Sequence, residues 1–329
     1  KVIRLDGRAA LSTVRTLFRQ LRGAPALVTA HGGLLDVSGI RDLLGRAIPF
    51  GRIQENLRAG HLSAVTVSTT HVTTGRTIVF AQRADSGLPA WGRDTTIIPR
   101  AATLRLEHAL ASAAIPLLFP AVSIDDEYYC DGGLRQNVPL SPARRLGADG
   151  LIVVNPRFIP SEPKTPAVSP NSTHHIPSPL FLLGKALNAL LLDRIDNDLD
   201  RLDRINRILW AGERRYGPSF VSELNREMGH EEGRGIRALS TVFIRASQDI
   251  GKLSAEYART PAFRQHTRGI MGRFMRRLAD GDAADEADLL SYLLFDGAFA
   301  AQLIELGRAD ARAHHEELCA AFKPRAMTA

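Results

Sequence analysis

Two cysteines in 329 residues, Cys130 and Cys319, are too few for a disulfide framework and stand at no metal-ligand spacing. They read as buried apolar side chains in a reducing compartment. Aromatic residues make up only 6% of the chain, and its arginines are dispersed. The stacking platforms and basic stripe of a nucleic-acid binder are therefore missing, and no nucleic-acid partner is expected. Long apolar runs are also absent. The longest, Leu180 to Leu192, is interrupted by Lys185 and Asn188 and is too short to span a bilayer. No secretory leader opens the sequence, because Lys1-Val2-Ile3-Arg4 runs straight into folded-looking sequence. The expectation is a cytoplasmic or peripheral membrane protein, with export left open because the true N-terminus can lie before Lys1.

What is present is ordinary globular material: 44% hydrophobic and 23% charged residues, enough for a sizeable core. The formal charge of +7 and a pI near 9.8 would suit an anionic lipid surface, but a solvated arginine-rich exterior explains them as well. Ala9 to Leu21 places Leu11, Val14, Leu17, Phe18 and Leu21 on one helical face. Short helices are predicted over Val37 to Gly45 and Phe50 to Ala59. Ser63 to Thr70 and Arg76 to Gln82 are rich in β-branched residues, and the turn chemistry between them predicts a hairpin or adjacent strands. Arg105 to Ala114 is a helix of small residues stopped at Ile115-Pro116. Ala121 to Tyr129 reads as extended, Leu140 to Leu146 as a short helix, and Leu151 to Asn155 as a buried strand. Strands alternating with helices predict an α/β layered domain over 1–155.

Seven prolines between Pro156 and Pro179, with interleaved serines and the pair His174-His175, mark a linker or loop over 156–179. Residues 180–329 read as mainly helical. Helices are expected over Leu180 to Leu209, Phe263 to Leu278, Asp288 to Phe295, Phe299 to Leu306 and Ala309 to Phe322, with a strand at Ser240 to Ala246. Phe295, Phe299 and Leu303 read as core. The amphipathic pattern from Leu180 suits a core-facing helix better than one lying on a membrane. Asp125, Asp126 and Glu127 form an acidic cluster best read as an exposed hairpin tip, and no metal or organic cofactor is implied.

The chemistry concentrates in Ala111 to Val154. A small-residue helix ends at Pro116, an extended segment leads to Asp131, and Gly132 and Gly133 follow directly. Glycines beside an acid at a strand end let a backbone or a substrate approach the carboxylate. Such an aspartate can take a proton from a hydroxyl without a histidine intermediary. With its flanks, this run resembles the C-terminal half of the patatin-like phospholipase domain. Ala-Ser-Ala-Ala-Ile-Pro-Leu-Leu-Phe-Pro (111–120) precedes Asp131-Gly132-Gly133, Thr70 to Phe80 resembles the family's Thr-Gly strand pair, and Gly33 to Leu44 its helix entry. Leu289 to Leu306 resembles the C-terminal helices of bacterial members.

The resemblance implies a patatin-like three-layer α/β/α domain with a helical C-terminal extension. It also implies lipid acyl hydrolysis, phospholipase A or lysophospholipase-like, in which Asp131 is the base, Gly132 and Gly133 complete its motif, and a serine in Gly-x-Ser-x-Gly is the nucleophile. No such elbow stands in the sequence. Ser38 has Asp36 where the elbow needs glycine, Gly32-Gly33 is too short for an oxyanion loop, and Ser161 to Lys164 lies in the proline-rich linker. In the family both missing motifs precede the region resembling Lys1 to Leu21. The expectation is therefore a nucleophile upstream of Lys1 or on a separate N-terminal segment, with this chain alone inactive. The partner expected is a phospholipid or other acyl-ester lipid, with peripheral membrane contact. The competing reading is an inactive patatin-like lipid-binding or scaffolding protein.

Overall fold

The computed structural model describes residues 4–5, 33, 35–85, 87–88, 91, 96–136, 140–159, 195–229, 235–266, 272, 275 and 286–322. The helix expected at Ala9 to Leu21, the residues Asn137 to Pro139 and nearly all of the proline-rich linker, with Ser161 and the His174-His175 pair, lie outside them. The chain is α/β and divides into two compact units. One comprises Lys1–Ala148 with Glu232–Arg234; the other comprises Asp149–Glu231 with Gly235–Ala329.

In the first unit, β1 (Arg4–Leu5) pairs antiparallel with β2 (Leu35–Asp36). The main sheet is built from β3 (Ala64–His71), β4 (Thr77–Arg83), β5 (Ile97–Ala101), β6 (Val122–Ile124) and β7 (Glu127–Asp131), in the order β5-β4-β3-β7-β6. The β-branched run of β3 pairs antiparallel with β4 on one side and with β7 on the other, so the hairpin expected from turn chemistry is present. Gly75, at φ +63, sits in its connection. The extended segment before Asp131 is a second hairpin. Asp125 and Asp126 take φ of 49° and 65°, the paired positive values of a two-residue turn, with Ile124 opposite Glu127. The acidic pair is thus a hairpin tip, as its composition predicts.

Strand β5 has no counterpart in the sequence reading because Pro99 argues against a strand. It is tolerated because β5 is the sheet's edge, parallel to β4, where one missing donor costs little. The Leu106–Ser112 helix crosses β3, β6 and β7. Its Ala111 forms one buried cluster with Ile78, Phe80, Leu104, Ile124 and Tyr129. Phe80 meets Tyr129 edge-on at 5.2 Å and the buried His108 at 4.6 Å. This core fixes the face of β7 that also carries Asp131, since residues 129 and 131 point to the same side of the strand.

In the second unit, β8 (Gly150–Asn155) runs parallel to β9 (Ser240–Arg245), so the strand expected at Leu151 pairs within this unit. The described part of the long helix runs from Ile195 to Tyr216. From it the buried Asn206 donates to the carbonyl of Leu239 at 2.8 Å and accepts that residue's N–H at 3.0 Å. Asn206→Ala would orphan both backbone groups and is expected to destabilise the unit by about 2 kcal/mol, read as a lower chemical-denaturation midpoint at constant slope.

Three expectations need correction. The helix break placed between Leu306 and Ala309 falls instead at His314, because Gly297–Ala313 is continuous. Gly307 faces open space, and the buried Asp310 accepts the Ser247 N–H at 3.2 Å, holding that turn helical. Phe295, read as core, is 49% exposed just before the Asp296 cap, whereas Phe299 is buried. Neither cysteine is fully buried: Cys130 is half-buried, and Cys319 is exposed beside His315 on a surface helix at 3.5 Å.

Candidate active site

Asp131 is the last residue of β7 and lies opposite Thr69 of β3. Three contacts fix it. Its N–H donates to the carbonyl of Ala114 at 3.0 Å, at the end of the small-residue helix. Its own carbonyl accepts the Thr70 hydroxyl at 2.9 Å. Its carboxylate Oδ1 accepts the N–H of Gly133 at 2.6 Å, the two-residue reach of an Asx turn. Among the described residues no hydroxyl is hydrogen-bonded to this carboxylate.

The two glycines do different work. Gly132 is buried with its Cα against β3, where a Cβ would stand 2.2 Å from the carbonyl oxygen of Ser68 and 2.6 Å from its carbon. Ser112 donates to that same carbonyl at 2.8 Å. Only a residue without a side chain lets the chain pass this close. Gly133 supplies the N–H that holds the carboxylate and opens a short helical turn, Gly133–Gln136.

Burial pushes the Asp131 carboxyl up to about 6, against the opposing pull of the Gly133 N–H. A base with that affinity is mostly ionised at neutral pH yet more avid for protons than an exposed aspartate, which suits removal of a hydroxyl proton. The neighbouring Cys130 behaves oppositely. Burial, helped by the charge of Asp131, pushes its thiol up to about 11, so it stays protonated and is a poor nucleophile.

Farther along the same strand face, Glu127 bridges Arg100 and the Tyr129 hydroxyl, with His71 Nε2 3.6 Å away. Arg100 and the Tyr129 hydroxyl hold the Glu127 carboxyl down to about 2, so it is no proton acceptor near neutrality. This network links the turn end of the β3–β4 hairpin, at His71, to β7 and β5. Ser38 is not paired with Asp131: the Asp36 carboxylate accepts both its N–H and its hydroxyl at a helix start. Among the described residues no group of three or more His, Cys, Asp or Glu is placed to hold a metal ion. Nor is any of their helices long and apolar enough to cross a membrane.

Asp131 and both glycines thus occupy one strand end, as the sequence predicts. The backbone braces from Ser68, Thr70, Ser112 and Ala114 escaped the reading, because nothing in their spacing forecasts which strand receives them. The first unit thus presents a partly buried carboxylate at a glycine-lined strand end. Residues 6–144, which contain it, match the family described as Patatin-like phospholipase. A comparison with curated proteins finds no match.

Proposed function

We propose that the protein containing this chain hydrolyses acyl esters of phospholipid or neutral lipid with a serine–aspartate dyad, Asp131 being the base and the serine standing outside these 329 residues. The observation that carries the reading is the Asp131 carboxylate, anchored at Oδ1 and raised to about 6 inside the family-matched segment. In the first half-reaction the serine oxygen attacks the ester carbonyl while its proton passes to Asp131. The tetrahedral intermediate collapses, the C–O bond to the alcohol breaks, and Asp131 returns the proton to the departing oxygen. In the second half, water attacks the acyl-serine, giving its proton to Asp131, and the fatty acid leaves as serine recovers its hydrogen. Each cycle consumes one water and leaves Asp131 ionised. A peripheral encounter with lipid would bring the substrate, helped by the net charge of +7.

A second reading, a lipid-binding or scaffolding protein without catalysis, draws on the lack of any hydroxyl bonded to Asp131 among the described residues. Active-site labelling separates the two. A fluorophosphonate probe is expected to label the full-length protein at one serine and to leave the 329-residue chain unlabelled. Failure of the full-length protein to label would favour the scaffolding reading. A single labelled serine within this chain would place the nucleophile wrongly.

A further inference from the structure

Leu117 is the one apolar residue among the three described non-glycine residues with positive φ. It stands at +70°, where the other two are the aspartates of the β6–β7 turn. It is also 56% exposed, while Ile115, Leu118 and Phe119 around it are buried. A side chain with a Cβ adopts this backbone region rarely and keeps it only where the surroundings over-determine it. Here they do. Phe119 N–H closes onto the Ile115 carbonyl at 2.9 Å, and the Leu35 N–H takes the Leu118 carbonyl at 3.0 Å. Gly33 lies so close to this turn that a Cβ on it would stand 2.5 Å from the Pro120 nitrogen.

The same segment is tied to the base. The Ala114 carbonyl holds the Asp131 N–H, and three residues of chain cannot carry the Leu117 Cα more than roughly 11 Å from the Cα of Ala114. A turn clamped at both ends thus holds an unfavourable conformation that presents an apolar side chain to solvent, three residues along the chain from the carbonyl that holds the Asp131 N–H. Folding alone gives no reason for this, since an asparagine or glycine would suit the backbone better and leucine gains little by being exposed.

We infer that Leu117 is a specificity-determining residue of the proposed hydrolase, its side chain contacting the acyl chain of the bound ester next to Asp131. The inference rests on the acyl-hydrolase reading for its kinetics but not for its binding. In the occupied site the hydrocarbon covers Leu117 and removes it from water. Long acyl chains gain this contact, and very short ones do not reach it.

The test compares Leu117→Asn, which suits positive φ but is polar, with Leu117→Met, which keeps an apolar side chain, in the full-length protein. With monomerically dispersed esters, the long-chain to short-chain ratio of kcat/KM is expected to fall about fivefold or more in L117N and to stay within about twofold in L117M. Calorimetric binding of palmitate should weaken in parallel, while the melting temperature of L117N holds or rises. An L117N protein that keeps both its ratio and its palmitate affinity would overturn the inference, as would one altered only in binding to vesicles. If no ester is turned over yet palmitate binding falls in L117N alone, the hydrolase reading fails and the acyl contact stands.

Discussion

Asp131→Asn in the full-length protein is expected to lower kcat/KM for a lipid ester about a thousandfold or more, and to make the protein more stable at neutral pH. The first effect follows from removing the group proposed to receive the nucleophile's proton. The second follows from linkage. The Asp131 carboxyl is raised from 3.8 to about 6, so between those values the folded state binds more protons than the unfolded one. Stability contributed by this group is therefore fully present below about pH 4, falls as pH rises through 6, and is constant beyond. A displacement of about two units corresponds to roughly 3 kcal/mol carried as a penalty at neutral pH. Asparagine keeps the Oδ1 acceptor for Gly133 without the charge. Its amide still wants partners, so the net gain is on the order of 1–2 kcal/mol at pH 7–8, vanishing near pH 4. Paired thermal melts at pH 4 and pH 8 check this. An asparagine variant less stable than the parent at pH 8 would show that the carboxylate stabilises the fold.

Gly132→Ala is expected to act on the scaffold. Its new methyl would stand 2.2 Å from the Ser68 carbonyl, which is backbone and cannot rotate aside. The register Thr69 to Asp131 and the Ser112 hydrogen bond both depend on that approach. Overpacking of this kind is expected to cost about 3 kcal/mol or more and to lower the melting temperature by roughly 10 °C. Activity should fall with it, because any shift of β7 carries Asp131 along. Unchanged melting and turnover would mean that β3 and β7 are farther apart in solution than described.

The two substitutions divide what the strand end does. One removes chemistry and relaxes a stored cost; the other removes the geometry that makes the chemistry available. Function at the expense of stability is the usual bargain at such sites.

Much of this was legible in the chain. The β-branched runs at residues 64–71 and 77–83 announce the central strands, and the glycines after Asp131 announce a backbone passing close to an acid. What they pass close to was not legible. The Ser68 carbonyl, the Ala114 carbonyl and the Thr70 hydroxyl reach Asp131 or Gly132 through pairings 17 to 64 residues apart in number, which local patterns do not encode. The edge strand at Ile97–Ala101 was hidden by Pro99, because its tolerance depends on the strand's place in the sheet. Leu117 looked like one more apolar residue of a turn, since a dihedral angle leaves no mark on composition.

The most direct test of Asp131 as the base is the pH dependence of kcat/KM of the full-length protein on a soluble acyl ester. The expected profile rises with pH along a limb centred near 6, the value to which burial lifts this carboxyl, and the residual activity of Asp131→Asn lacks that limb. A limb near 6 that survives in the asparagine variant would contradict the account.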